Sequence, residues 1–303
     1  MIKMKKFLLA ILVLYATLSH AQQEPQYTQN QFNSNLEINP AYAGINGNPS
    51  LSVRSRKQWS GFTGSPATLR LVGESNLVAN SLSAGITLSS EWIGITHSTA
   101  ADLNVSTQIN VGRKASLSFG LKAGINMLSS DFSKLSNVDP TDPLYSTEKR
   151  TIPFVGFGAL FYTDKVYVGF SMPRLVSFEQ VEPQSKITKP HTYIYGGYRI
   201  KANDDIELRP ALLGKYVAAA PFEMDIALDA WYKNVFGIGG SYRTSDAVCV
   251  MVKTRISKLY LGYSYDMTIS ALGAYHGGSH EIYLGYEFAG KNDPDRKQNN
   301  RYF

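Results

Sequence analysis

From about residue 50 onward the chain alternates apolar and polar residues with a period of two. In an extended strand that period sends successive side chains to opposite faces. Leu117, Phe119, Leu121, Ala123, Ile125 and Met127 form one apolar row, with Ser116, Ser118, Gly120, Lys122, Gly124 and Asn126 between them. The pattern returns at Met224, Ile226, Leu228 and Ala230, at Leu259, Leu261, Tyr263, Tyr265 and Met267, and at Ile282, Leu284, Tyr286 and Phe288. No segment carries a convincing helical period. The chain is therefore all-β, with fourteen strands predicted near 50–57, 67–76, 81–90, 99–111, 115–127, 152–162, 165–172, 191–200, 206–216, 223–232, 235–243, 247–256, 259–267 and 280–288.

The connections separate the β architectures. Val111–Lys114, Thr163–Lys165, Lys201–Asp205, Lys233–Asn234 and Ser257–Lys258 are tight and all follow even-numbered strands. Leu128–Thr151, Pro173–Pro190 and Thr268–Ser279 are long and follow odd-numbered ones. An antiparallel up-and-down meander then has its short turns at one end and its long loops at the other, as outer-membrane barrels do, with the short turns periplasmic and the long loops extracellular. A soluble sandwich has no reason to sort its loops this way.

Charge follows the same division. After residue 115 the non-apolar face carries Lys122, Glu207, Arg209, Lys215, Asp225, Asp229, Lys253, Arg255, Asp266 and Glu287, five of each sign. A one-residue slip in register would move the whole set into hydrocarbon. A balanced lumen implies internal ion pairs and a filled or narrow interior; the other reading puts some of these charges at water-exposed strand ends.

Residues 1–21 read as a signal peptide: Lys3, Lys5 and Lys6, an apolar run from Phe7 to Leu18, then Ser19-His20-Ala21 with small residues at the cleavage positions. Cleavage after Ala21 leaves 282 of the 303 residues and, with those three lysines gone, takes the 30 basic residues to 27 against 24 acidic. A nucleic-acid partner thus loses its electrostatic basis. No later stretch has the roughly 18 consecutive apolar residues of a membrane helix.

Chemistry is sparse. Cys249 is the single cysteine, and five scattered histidines lack a metalloprotease spacing. His280-Glu281 opens the last strand without a nucleophile at a diagnostic spacing. Asp139-Pro140-Thr141-Asp142-Pro143 lacks the glycine and spacing of a calcium loop and reads as a solvated turn. Gly156-Phe157-Gly158 and Gly237-Ile238-Gly239-Gly240 fall within strands, where glycine relieves crowding in a curved sheet. No catalytic residue, cofactor or metal is expected. Trp59, beside a glycine-rich turn, reads as an aromatic belt residue.

The ends differ from the barrel. Residues 22–49 are rich in Gln, Asn and Tyr, without alternation, and read either as a lead-in to the first strand or as a segment folded into the barrel mouth. Residues 289–303 form a polar tail ending Arg301-Tyr302-Phe303. The expected organisation is signal peptide 1–21, irregular segment 22–49, barrel 50–288 and periplasmic tail 289–303.

Pro25-Gln26-Tyr27-Thr28-Gln29, Asn39-Pro40-Ala41-Tyr42-Ala43-Gly44 and Gln58-Trp59-Ser60-Gly61-Phe62 together resemble the N-terminal signature of the PorP/SprF family. The C-terminal half is similar too, through Gly197-Tyr198-Arg199, Leu208-Arg209-Pro210, Gly214-Lys215-Tyr216, Tyr242-Arg243, Tyr263-Ser264-Tyr265-Asp266, Gly278-Ser279-His280-Glu281 and Arg301-Tyr302-Phe303. Asn33-Ser34-Asn35-Leu36-Glu37 is more polar than the family's usual stretch. The resemblance implies a non-enzymatic outer-membrane component of the type IX secretion system of Bacteroidota. It implies as partners the secretion machinery, outer-membrane lipid and a secreted protein or gliding adhesin with a C-terminal sorting domain, which the barrel would help export or retain. A passive channel for small molecules is the alternative. The motif residues Asn39, Pro40, Ala41, Tyr42, Gly44, Trp59, Gly61, Phe62, Tyr263, Tyr265, Asp266, Gly278, Ser279, His280 and Glu281 are expected to be structural or partner-binding.

Overall fold

The computed structural model describes residues 36–78, 81–112, 114–135, 147–181, 184–187, 190–218 and 220–288. The predicted signal peptide, the Pro25–Gln29 motif, the Asp139–Pro143 turn and the 289–303 tail lie outside the described residues.

Sixteen strands follow in chain order: β1 Ser50–Lys57, β2 Ala67–Val78, β3 Leu82–Ile93, β4 Thr96–Val111, β5 Ala115–Asp131, β6 Thr147–Thr163, β7 Val166–Val181, β8 Gln184–Ile187, β9 His191–Tyr198, β10 Ile200–Lys201, β11 Ile206–Val217, β12 Glu223–Tyr232, β13 Phe236–Arg243, β14 Ala247–Ile256, β15 Leu259–Thr268 and β16 Ser279–Glu287. Fourteen are staves of a closed antiparallel barrel. β1 to β7 run in sequence, β9 pairs with both β7 and β11, and β16 pairs with β1 from Ser50–Glu287 to Lys57–His280. β10 continues the β9 stave along β11, and β8 pairs with the far end of β7 alone. Every predicted strand is present.

The turns at one end connect their strands through two to four residues, and Lys233 and Asn234 both adopt positive φ, 51° and 54°. Consecutive left-handed residues are what a tight hairpin turn needs to match the strand twist. At the other end the hairpin arms are longer than the period-two signal suggests. Leu128–Asp131 pairs with Thr147–Arg150, so much of the predicted loop Leu128–Thr151 is strand. Within Pro173–Pro190, β7 runs on to Val181 and returns as β8. Once an arm leaves the apolar belt, both its faces are free to be polar; alternation vanishes while backbone pairing continues. Two turns at this end, Gly94-Ile95 and 244–246, are also tight, so the asymmetry lies in the arms as much as in the loops.

The faces sort as their chemistry requires. Leu121, Leu103 and Ile282 face outward, 69%, 63% and 60% exposed. Lys122, Glu207, Lys215, Asp225, Asp229, Lys253 and Asp266 are buried on the inner face, while Arg209, Arg255 and Glu287 are half-buried. Leu121→Arg is expected to cost about 2–4 kcal/mol of barrel stability, as a cation at the bilayer midplane does. Reversible unfolding in detergent or liposomes, compared with Leu121→Ala, measures it.

Candidate functional site

Residues 36–46 lie inside the barrel. Asn39 caps a single 3-10 turn, Pro40–Tyr42, its Oδ1 accepting from the Ala41 amide at 2.8 Å. Proline suits that turn because its missing N–H would have no partner there and its φ is already set. Asn39 Nδ2 lies within hydrogen-bond distance of Ala159 O (3.1 Å), Phe170 O (3.3 Å) and the Tyr195 hydroxyl (2.7 Å), and Tyr42 stacks on Tyr195. Three lumenal serines donate to carbonyls of this plug: Ser171 to Ile38, Ser118 to Ala41 and Ser106 to Ala43, at 2.7, 2.7 and 2.8 Å. The Gly44 amide donates to Glu74 at 3.0 Å. These bonds satisfy the backbone of a segment that belongs to neither helix nor sheet.

Glycine makes the room. A Cβ at Gly120 would collide with the backbone of Pro40 and Ala41, and one at Gly158 with the Asn39 amide. Curvature alone is not what these glycines serve. Glu37 carries the charge of the plug, ion-paired to Arg54 at 2.7 Å and Arg70 at 2.9 Å, and Lys122 donates to its carbonyl at 3.2 Å. Above the plug, toward the long arms, lies a cavity of about 240 Å³ whose lining includes Arg70, Glu91, Asn126 and Arg174.

A second buried network binds the other wall. Arg56 contacts Asp266 at 2.6 Å and Glu281 at 3.5 Å across the β1–β16–β15 seam. Arg243 joins Asp266 (3.6 Å) to Asp225 (3.0 Å), and Lys215 pairs with Asp225 at 2.9 Å and with Glu223. Farther along, Lys253 pairs with Asp229. Asp266 and Glu281, both motif residues, thus serve the lumen. Their strand neighbours Tyr265 and His280 lie on the other face, where the two rings meet at 5.1 Å and His280 Nδ1 is 2.7 Å from the Tyr263 hydroxyl. His280 and Glu281 point to opposite sides of one strand, so they cannot act together on one substrate atom.

The remaining motif residues meet at the rim of the long-arm end. Gly277 and Ser60 exchange backbone bonds with the β1–β2 and β15–β16 loops: Ser60 N donates to Gly278 O at 2.8 Å and Gly277 N to Ser60 O at 2.7 Å. Trp59 N donates to Ser279 Oγ at 3.3 Å, and the Trp59 ring lies 6.0 Å from His276. Gly61 and Gly278 take φ of 89° and 84°, values that favour glycine. On this platform Phe62 and Tyr275 are 55% and 74% exposed. Trp59 therefore packs within a loop junction. The stitching continues around the rim, Gly94 N to Gly64 O at 2.8 Å and Asp131 N to Ile95 O at 3.1 Å.

Two motifs more than 200 residues apart in sequence form one platform, and a third fills the lumen. Over residues 19–286 the chain matches the family described as type IX secretion system membrane protein PorP/SprF. The chain belongs to the PorP/SprF family. It is thereby an outer-membrane β-barrel of type IX secretion. No curated protein matches it in sequence. Among solved structures the PorP/SprF barrel is similar to the CymD monoaromatic hydrocarbon channel, with a TM-score of 0.52, 10% identity, and 86% of this chain and 94% of that chain covered. The Ralstonia pickettii toluene transporter TbuX gives 0.48, 9%, 83% and 92%, and a Pseudomonas aeruginosa FadL homologue 0.48, 10%, 86% and 96%. At 10% identity the likeness to the CymD channel is one of fold.

Sequence reading missed Arg54, Arg56, Arg70 and Glu74 as lumenal charges, because it weighed inward charge only after residue 115. The plug-binding serines were equally unmarked. Their signal was a run of Ser and Gly at inward positions of β4 to β7, where no need for small residues was apparent until the plug was in view.

Proposed function

We propose that this PorP/SprF barrel is a non-enzymatic adaptor of type IX secretion, recognising the C-terminal sorting domain of a secreted surface protein or adhesin and supporting its export or surface retention, gliding adhesins included. The signal peptide delivers it to the outer membrane, where lipid covers the apolar belt, both termini face the periplasm and the long arms face outward. The observation that carries this reading is that the lumen is occupied by the chain's own N-terminal segment, with its backbone bonded to the wall. What is left to meet a partner is the rim, and there Phe62 and Tyr275 offer aromatic side chains to solvent on a hydrogen-bonded platform. Preordered aromatic residues are the usual anchors of protein interfaces.

In the test, the barrel in lipid nanodiscs is titrated with a purified sorting domain from a protein secreted by the same system. Phe62→Ala combined with Tyr275→Ala is expected to weaken binding by about 2 kcal/mol, roughly thirtyfold in Kd. Unchanged affinity would remove the platform from the interface. The cavity of about 240 Å³ above the plug supports a second reading, a passive channel for small molecules. Uptake or conductance by the unaltered barrel, with no affinity for the sorting domain, would favour it.

A further inference from the structure

On the outer wall the apolar belt ends, toward the long arms, in one lateral row of side chains. Strand pairing sets Tyr265 beside His280, His280 beside Lys57, Lys57 beside Ala67, Ala67 beside Trp92 and Trp92 beside His97. The period of two puts all six on the outward face. The row holds a lysine and two histidines but no carboxylate. The adjacent carboxylates, of Asp266 and Glu281, face the lumen and are paired with Arg56.

Two of these side chains present unused donors at one spot. Lys57 is exposed, and its Nζ donates to the Ser65 carbonyl at 2.9 Å. An ammonium has three donors, so two remain, and among the described residues no carboxylate lies within ion-pair distance of it. His280, on the neighbouring strand, has Nδ1 2.7 Å from the Tyr263 hydroxyl, and its Nε2 has no hydrogen-bond partner among the described residues. With that hydroxyl donating to Nδ1, the ring proton sits on Nε2 as a free donor. Tyr265 packs against the same ring at 5.1 Å, and its hydroxyl donates to the Gly277 carbonyl at 3.0 Å. The spot is thus held in place by the β1–β2 and β15–β16 loops. Toward the midplane Ser55 stands between Ile282 and Leu69, which are 60% and 46% exposed. A small side chain between two large ones leaves a shallow apolar groove along β1.

We propose that Lys57 and His280 bind the phosphate of an anionic lipid in the leaflet on the long-arm side, with an acyl chain lying along β1 over Ser55. In the orientation proposed above that is the outer leaflet. Charge complementarity selects an anion, because the donors have no carboxylate to satisfy them. The exposed Ile282 and Leu69 directly below select an amphiphile over a soluble acidic protein, which would have to displace lipid from them. A phosphate supplies several acceptor oxygens for charge-assisted bonds from both groups. The site is independent of which partner meets the rim.

The full-length barrel in neutral detergent, titrated with phosphatidic acid and followed by native mass spectrometry, tests the site; diacylglycerol with the same chains is the lipid without the phosphate. Selective binding of phosphatidic acid is expected. Lys57→Gln, whose amide can keep the Ser65 bond, is expected to weaken it about fivefold, and Lys57→Gln with His280→Gln about tenfold, the scale of a basic group at an anionic lipid surface. Lys57→Arg keeps the charge and should bind as the unaltered barrel does. Lys165→Gln, the same loss of charge at the short-turn end, should leave the affinity unchanged. Unchanged binding by Lys57→Gln, or an equal loss in Lys165→Gln, would overturn the site. Inorganic phosphate binding as tightly as phosphatidic acid would overturn lipid recognition and assign the donors to a free anion.

Discussion

Removal of residues 22–48 is expected to turn a silent barrel into a conducting one. Those residues include the plug, and the wall that remains around it is polar: Ser106, Ser118, Ser171, Asp102, Asn104 and Lys122 would all face water. A closed sheet keeps its backbone ladders without the plug, so the barrel is expected to insert and retain its strand content. In a planar bilayer the full-length protein should give no steady current, and the deletion a steady one. Gly158→Leu is the gentler version, because a side chain there takes the place of the Asn39 amide. Asn39→Ala, which removes the cap and three lumenal contacts, is expected to lower stability by about 1–3 kcal/mol, the cost of leaving buried polar groups without partners. Equal currents from the full-length and deleted barrels would mean that the segment does not seal the lumen.

The largest single-residue effect is expected at Arg56. Its guanidinium lies among Asp266 and Glu281, both almost wholly enclosed, and Arg243 reaches Asp266 only at 3.6 Å. Arg56→Met keeps much of the side-chain volume and leaves two carboxylates short of a counter-charge at the strand pair that closes the barrel. Breaking a buried pair on one side costs about 3–5 kcal/mol. Asp266→Asn together with Glu281→Gln in the same chain should recover most of that loss, since the repelling charges are then gone. Denaturant titration and the temperature at which the folded band disappears in electrophoresis both measure the difference. A surface-like loss of under about 1 kcal/mol would show that water reaches the network.

The strands were legible because membrane and lumen impose opposite demands on neighbouring residues, and a period of two records both. Their ends were less so. Outside the belt neither face is constrained to be apolar, so the arms of β5, β6 and β7 left little mark in the pattern. The ten inward charges were readable as a set, but which paired with which depends on how strands distant in sequence stand side by side: Arg56 meets Asp266 across 210 residues. The motifs Gln58–Phe62 and Gly278–Glu281 were visible singly, while their junction was not, because it follows from closure of β1 on β16. Asn39–Gly44 could be read as turn chemistry. That the turn sits in the lumen depends on Gly120, Gly158 and three serines on four other strands, and of these only Gly158 stood out in the sequence, as relief of crowding.

The proposal that a plugged barrel holds a type IX substrate by its rim is tested by native co-purification. The tagged barrel, extracted from its own outer membrane in mild detergent, is analysed by quantitative mass spectrometry beside the Phe62→Ala, Tyr275→Ala variant. The expected result is one large secreted protein with a C-terminal sorting domain, at near-stoichiometric yield with the unaltered barrel and strongly depleted with the variant. A monodisperse barrel carrying no such protein, and conducting ions when reconstituted, would contradict the account and make the channel the protein's function.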